Sequence, residues 1–108
     1  MTQVAAIVTF KAQPGKGAEV ARLVGAALPK ALDETPMPLW LVLHSESNPD
    51  IVHIVDVFVN VAGRDNHLRD QTAAQILATV PPHLAEPVDI APMTLIAEIG
   101  RASCRERV

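Results

Sequence analysis

Asp56, Phe58 and His67 are the residues of this chain whose types and spacing could do chemistry together. Asp56-Val57-Phe58 is followed by Ala62 and then by His67-Leu68, which reads as an apolar strand running through Asn60 into a short helix. A carboxylate set among valines and isoleucines is costly unless paired or hydrogen-bonded. Asp56 therefore either holds a backbone amide or Arg64 as structural support, or titrates upward and exchanges protons with a bound molecule. Histidine titrates near neutral pH and can serve as a base or an orienting donor. The competing reading of His67 is a surface or capping residue, because Arg64, Asp65, Asn66 and Arg69 surround it. Asn60 and Arg64 are the nearest polar groups in sequence that could support a developing negative charge.

Other candidates lie further out. Trp40, the only tryptophan, either anchors the core or an interface, or gives a planar ring a flat wall to stack on. His44 and His53 flank a turn. If that turn closes symmetrically about Ser47 and Asn48, His44 faces Ile51 and the two histidines share one sheet face, whereas a one-residue slip separates them. A metal needs three or four ligands and no third His or Glu is clearly placed, so pocket lining or interface packing is the reading and no metal is expected. His83, between Pro82 and Leu84, reads as a loop residue. Gly15-Lys16-Gly17 is too short and wrongly placed for a phosphate cradle and reads as turn chemistry.

The elements that must position these residues follow from period and punctuation. Gln3 to Lys11 alternates as a strand, and Gln13-Pro14-Gly15-Lys16-Gly17 breaks it. From Ala18 the period becomes helical, with Val20, Leu23, Val24, Ala27, Leu28, Ala31 and Leu32 on one stripe. Pro29 removes the donor that would bond Gly25, so a kink is expected there, and Thr35-Pro36 ends the helix. Leu39 to Ser45 and Ile51 to Val59 read as a hairpin. Asn60 suits an N-cap, and helical pattern runs from Val61 to Val80, in one piece or two, until Pro81-Pro82. Ile90 to Ala97 is the last strand, with Pro92 at a sheet edge or bulge. The order predicts an α+β, ferredoxin-like βαββαβ domain: a four-stranded antiparallel sheet with two helices on one face and the first and third strands side by side in the centre.

Composition narrows the function. The run from Ile99 to Val108 has no apolar period and holds three arginines and the only cysteine, Cys104. It resembles translated sequencing adapter, so residues 1–98 are read as one domain and 99–108 as a non-native tail. The formal charge is −3; setting aside Arg101, Arg105, Arg107 and Glu106 removes a net +2 and leaves −5. An acidic chain with no Tyr, two Phe and one Trp argues against nucleic acid, which needs basic patches and stacking rings. Without Cys104, disulfides, thiolate nucleophiles and cysteine-ligated metals drop out. No basic leader or long apolar run follows Met1, so a cytoplasmic protein with no membrane partner is expected.

The sheet pattern implies a partner. Val4, Ala6, Val8 and Phe10 fall on one side of the first strand, Ala5 and Ile7 on the other; the third strand offers Val55, Val57 and Val59 against Val52, Ile54 and Phe58. Helices on one side cover only one of these faces, and the other exceeds what a soluble monomer normally exposes. A homodimer through the second face is expected.

Nearly all of residues 3–97 resembles the antibiotic biosynthesis monooxygenase family, which includes the quinol monooxygenases of the dimeric α+β barrel superfamily. The resemblance is carried by Pro14-Gly15-Lys16, Pro29, Trp40 and, most densely, Asp56, Phe58, Ala62, Gly63, Arg64, His67 and Leu68. Many relatives have a glutamate and a tryptophan where Asp56 and Phe58 stand, and a tryptophan–asparagine pair used by some members has no obvious counterpart. The resemblance implies a monooxygenase that adds oxygen from O2 to a small quinol, phenol or anthrone with no flavin, haem or metal cofactor. It also implies His67 as base or orienting donor, Asn60 and Arg64 as polar support, and Trp40, His44, Asp56 and Phe58 lining the pocket. A phenol with a pKa of about 10 loses its proton to a histidine of about 6.5 only at a cost of roughly 5 kcal/mol, so donors or cations must stabilise the phenolate. The rival readings are a non-catalytic binding or stress-response module on the same dimeric scaffold, and a haem-binding or haem-degrading relative.

Overall fold

β1 (Val4–Lys11) lies at the middle of a sheet because both of its faces are apolar, and its pairings follow from that. The computed structural model describes residues 3–34 and 37–99. β1 pairs antiparallel with β3 (Ile51–Phe58), from Val4 opposite Phe58 to Lys11 opposite Ile51. β2 (Leu39–His44) flanks β3, and β4 (Asp89–Thr94) flanks β1, giving the order β2-β3-β1-β4. The first and third strands are thus central, as the crossover rule requires. Pro92 sits in an edge strand, where its missing donor is tolerated.

Each helical stretch is broken in two. α1 (Gly17–Gly25) stops short of α2 (Leu28–Asp33), and Pro29 falls in the first turn of α2, the position at which proline removes no bond. α3 (Val61–His67) begins at Asn60, whose Oδ1 accepts from the Gly63 amide at 2.8 Å. α4 (Gln71–Thr79) begins at Asp70, whose carboxylate accepts from the Gln71 amide at 2.7 Å. A short 3-10 turn at Pro81–His83 leads to β4. The expected helix end at Thr35-Pro36, and the tail from 100 onward with Cys104, lie outside the described residues. No helix among the described residues is long and apolar enough to cross a membrane.

The helices cover one face, where Val8, Phe10, Val52 and Ile54 meet Val20 and Val24 of α1 and Ile76 of α4. On the opposite face Leu39, Leu41 and Leu43 of β2 and Met93 of β4 are about 40% exposed or more.

The hairpin register corrects one expectation. His44 pairs with Val52, not Ile51, so the turn centres on Asn48. Side chains shape this asymmetry: Ser45 Oγ accepts from the Asn48 amide and Asn48 Oδ1 from the Asp50 amide, both at 3.1 Å. His44 therefore falls on the helix side and His53 on the other, where its Nδ1 lies 3.1 Å from Thr9 Oγ1. The slip that separates the two histidines is the one the protein adopts.

The glycine loop clamps this hairpin to α1. Gly15 has φ +81°, and Asp50 accepts from the Gly15 and Gly17 amides at 3.3 and 3.1 Å. A Cβ on Gly17 would stand 1.7 Å from the Pro49 carbonyl oxygen. Backbone on both sides must move to admit it, so Gly17→Ala should cost about 3 kcal/mol or more in urea unfolding. A loss below about 1 kcal/mol would show that the loop docks loosely.

Candidate active site

The ends of three helices and the middle of one strand converge on a single imidazole. His67, the last residue of α3, is buried. Its Nδ1 lies 2.5 Å from Oε1 of Glu34, the residue that follows α2. Its Nε2 lies 3.3 Å from Asp56 Oδ2 on β3. The Phe58 ring packs on the imidazole with centroids 5.3 Å apart and planes tilted by 43°. Glu34 is fixed in turn by α4: its Oε2 accepts from the Thr72 amide at 3.1 Å and from the Thr72 hydroxyl. Asp56 is 1% exposed, and its Oδ1 has no hydrogen-bond partner.

Two opposing influences act on His67. Burial is the larger single one and pulls its pKa down; the hydrogen bonds and charges of Asp56 and Glu34 together outweigh it and raise the imidazole above its ordinary 6.5. Within the folded protein the group is thus biased toward imidazolium, donating from Nδ1 to Glu34 and from Nε2 to Asp56. Both nitrogens are directed at carboxylates, which leaves neither lone pair free for a metal or a haem iron.

Asp56, His67 and Thr72 are the polar walls of a cavity of about 60 Å³ between the sheet and α4, otherwise apolar. Leu77, Val88 and Ile90 line it and also line an outer groove of about 560 Å³ bordered by Pro81 and Leu84 to Val88. The arrangement is a small, mostly apolar cavity with one incompletely satisfied carboxylate in its lining, and it shares three lining residues with the larger groove.

The sequence candidates divide cleanly. Asp56, Phe58 and His67 come together, and the partner of Asp56 is His67 rather than an amide or Arg64. Trp40 stands directly opposite Asp56 in the β2–β3 ladder, on the same side of the sheet. Three others stand elsewhere. Asn60 is exposed, its side chain committed to the α3 cap. Arg64 donates from Nη1 to the Ala5 carbonyl at 3.3 Å. His44 is exposed, with Nε2 2.7 Å from the Pro49 carbonyl. None of the three lines the cavity, and neither do Phe58 and Trp40, which border separate pockets that Glu34 also lines.

Glu34 and Thr72 escaped the sequence reading, although each carried a signal. Glu34 falls three residues beyond Ala31, continuing the inward stripe Val24-Ala27-Ala31, and a carboxylate there needs a buried partner. Thr72 precedes Ile76 and Val80 by four and eight residues and shares their inward face.

The sequence matches no protein-family model and no curated protein, but solved structures match over most of its length. A structure described as an antibiotic biosynthesis monooxygenase superposes with a TM-score of 0.75 at 13% identity, covering 87% of this chain and 99% of its own. A candidate antibiotic biosynthesis monooxygenase from Caulobacter crescentus gives 0.77 at 15% identity, with 89% and 92% covered. The chain thus has the antibiotic biosynthesis monooxygenase fold, the ferredoxin-like α+β arrangement expected from its sequence. More narrowly, it belongs to the same family as NE2512 of Nitrosomonas europaea, a protein of unknown function. The two are 34% identical, with a TM-score of 0.82 over 91% of this chain and 93% of that one.

The buried triad sets the sign of a pH effect. A histidine with a raised folded pKa stabilises fully below the unfolded value and loses that contribution as pH rises through the folded one. Urea-unfolding free energy should therefore fall as pH increases above about 6.5. In the double variant Glu34→Gln/Asp56→Asn only burial remains to act on His67, so the slope should reverse and stability should rise with pH. An unchanged slope would mean that the carboxylates do not control this imidazole.

Proposed function

We propose that the protein is a cofactor-independent monooxygenase that uses O2 to oxidise a small hydroxylated aromatic, a quinol or anthrone-like phenol. The observation that carries this reading is Asp56: a buried carboxylate lining an apolar cavity and backed by an imidazole, whose Oδ1 has no hydrogen-bond partner. A carboxylate so placed is a base waiting for a donor.

The base is the Asp56–His67 pair rather than His67 alone. With both imidazole nitrogens directed at carboxylates, His67 has no free face for a substrate. A substrate O–H gives its proton to the ionised Asp56 carboxylate. His67, neutral with its hydrogen on Nδ1 and held by Glu34, can then take that proton from the carboxyl group at Nε2, and the pair holds it. Glu34 fixes the tautomer and Thr72 fixes Glu34. The electrons go from the ionised substrate to O2; one oxygen atom bonds to ring carbon and the other leaves as water. A hydroquinone and O2 balance to a hydroxyquinone and water, with the substrate as the only reductant, so the chemistry calls for no flavin, haem or metal. Asn60, Arg64 and His44 take no part in this scheme, and Phe58 acts by packing on the imidazole.

The working protein in this reading is a homodimer. Three leucines of β2 share the helix-free face with Ile7, Val55 and Met93, an apolar surface that a second copy would cover. Sedimentation velocity at micromolar concentration should give a dimer, and Leu41→Lys should release monomer; a wild-type monomer would refute the pairing.

Oxygen uptake should be found with some member of a panel of hydroquinones and anthrones. Its rate should climb as pH rises through the His67 titration, because the pair must be unprotonated to act. Asp56→Asn should lower kcat by about 100-fold or more. No uptake with any of them favours a binding role, and full activity in Asp56→Asn removes Asp56 as the base.

A further inference from the structure

The cavity beside Asp56 is small, and the groove next to it is not. A volume of about 60 Å³ admits about four to six atoms the size of water, so one hydroxylated ring nearly fills it. The adjoining groove, of about 560 Å³, takes no part in the scheme above. Leu77 of α4, Val88, and Ile90 of β4 border both spaces, so the two lie at most one residue apart. Leu77 and Ile90 are 58% and 45% exposed. Exposed side chains change rotamer within nanoseconds, so the partition includes groups free to turn.

The lining of the groove fixes the chemistry of its occupant. Pro81, Leu84, Ala85 and Pro87 are its remaining apolar walls, and its one charged lining residue, Glu86, is paired with Lys11 at 3.5 Å. A wall of this kind suits uncharged hydrocarbon. Ile90 is the ladder partner of Val8, which packs under the helices, so the groove opens on the helix side of the sheet. A second copy seated on Leu39, Leu41 and Leu43 of the opposite face leaves it open. We propose that the site takes a hydroxylated ring bearing an apolar extension of several carbons, with the ring in the cavity beside Asp56 and the extension in the groove. The inference rests on the reading of the cavity as the substrate site and adds the part of the molecule for which the cavity has no room. Leu77, Val88 and Ile90 then determine specificity. They admit hydrocarbon and disfavour a charged substituent, because nothing in the groove offsets its loss of water.

The probes are 4-alkylphenols from methyl to hexyl, with binding followed by titration calorimetry below the concentrations at which they aggregate. Each methylene that enters the groove leaves water, so affinity should rise about three- to fourfold per carbon. 4-Methylphenol reaches little beyond the cavity and sets the baseline. Ala85 is exposed and borders the groove but not the cavity. Ala85→Asp puts a charge in the groove and Ala85→Trp fills it. Each should flatten the rise with chain length while 4-methylphenol binds as in the wild type. An affinity that does not grow with chain length in the wild type overturns the proposal, as does a rise that both variants leave intact. Oxygen uptake with methyl- and hexylhydroquinone is a separate readout. A steep rise in affinity with no hydroquinone oxidised upholds the groove and removes the monooxygenase reading; oxidation of methylhydroquinone beside a flat series does the reverse.

Discussion

The structure turns on one imidazole held between two buried carboxylates. A lone charge in this position would be untenable, and removing one partner from a buried ionic group costs about 3–5 kcal/mol because the other is left unpaired. The triad therefore ties together the elements that supply it: β3 through Asp56, the end of α2 through Glu34, and the end of α3 through His67. It also explains why the helical layer consists of short pieces. α2 and α3 stop where their last residues must turn toward the site, and α4 starts where its Thr72 amide can bond Glu34. The polarity of the helix ends agrees with the charges, an imidazolium at a C-terminus and a carboxylate at an N-terminus. Breaks that would be defects in a longer helix here deliver side chains to one point.

The sheet contributes by having two different faces. On the helix side, Val8, Phe10, Val52 and Ile54 are closed over by α1 and α4, which makes the surroundings of Asp56 dry and strengthens every charge interaction there. On the other side the same strands present Leu39, Leu41 and Leu43 with no helix above them. Strands that are apolar on both faces give the fold a buried centre for its site and an uncovered back. One end of that back is polar: Thr9 and His53 bond to each other, and the register puts Asp89 and Lys11 on the same side.

Local rules carried most of the fold. The period-two runs, Pro29, Asn60 and the glycine loop each act within a few residues of their own position, and the elements formed near their signals, although the last strand, expected over Ile90 to Ala97, ends at Thr94. The hairpin register did not, because the turn centre depends on which side chains bond inside the loop, Ser45 and Asn48, and not on its length. The site was half legible. Spacing within one stretch brought Asp56, Phe58 and His67 together, since a strand followed by a capped helix has few ways to fold back. Glu34 enters from 33 residues away, and only the inward stripe of α1 and α2 hinted at it. Asn60 and Arg64 were misplaced for one reason: proximity along the chain does not say which way a side chain is already committed. One caps α3, and the other holds a carbonyl of β1.

In the proposed function, the division between Asp56 and His67 follows from counting lone pairs. An imidazole has two nitrogens, and both point to carboxylates. Each carboxylate has two oxygens. Those of Glu34 are both occupied, one by His67 and one by Thr72, while Asp56 spends one on His67 and keeps the other unmatched. The free valence of the whole cluster therefore lies at a single atom, Asp56 Oδ1. On the proposed function, a proton arriving there would be shared with an imidazole whose own affinity for it is raised by the same two carboxylates, so histidine would set the strength of the base and aspartate its position. On the proposed function, the donor would meet the cluster at that oxygen.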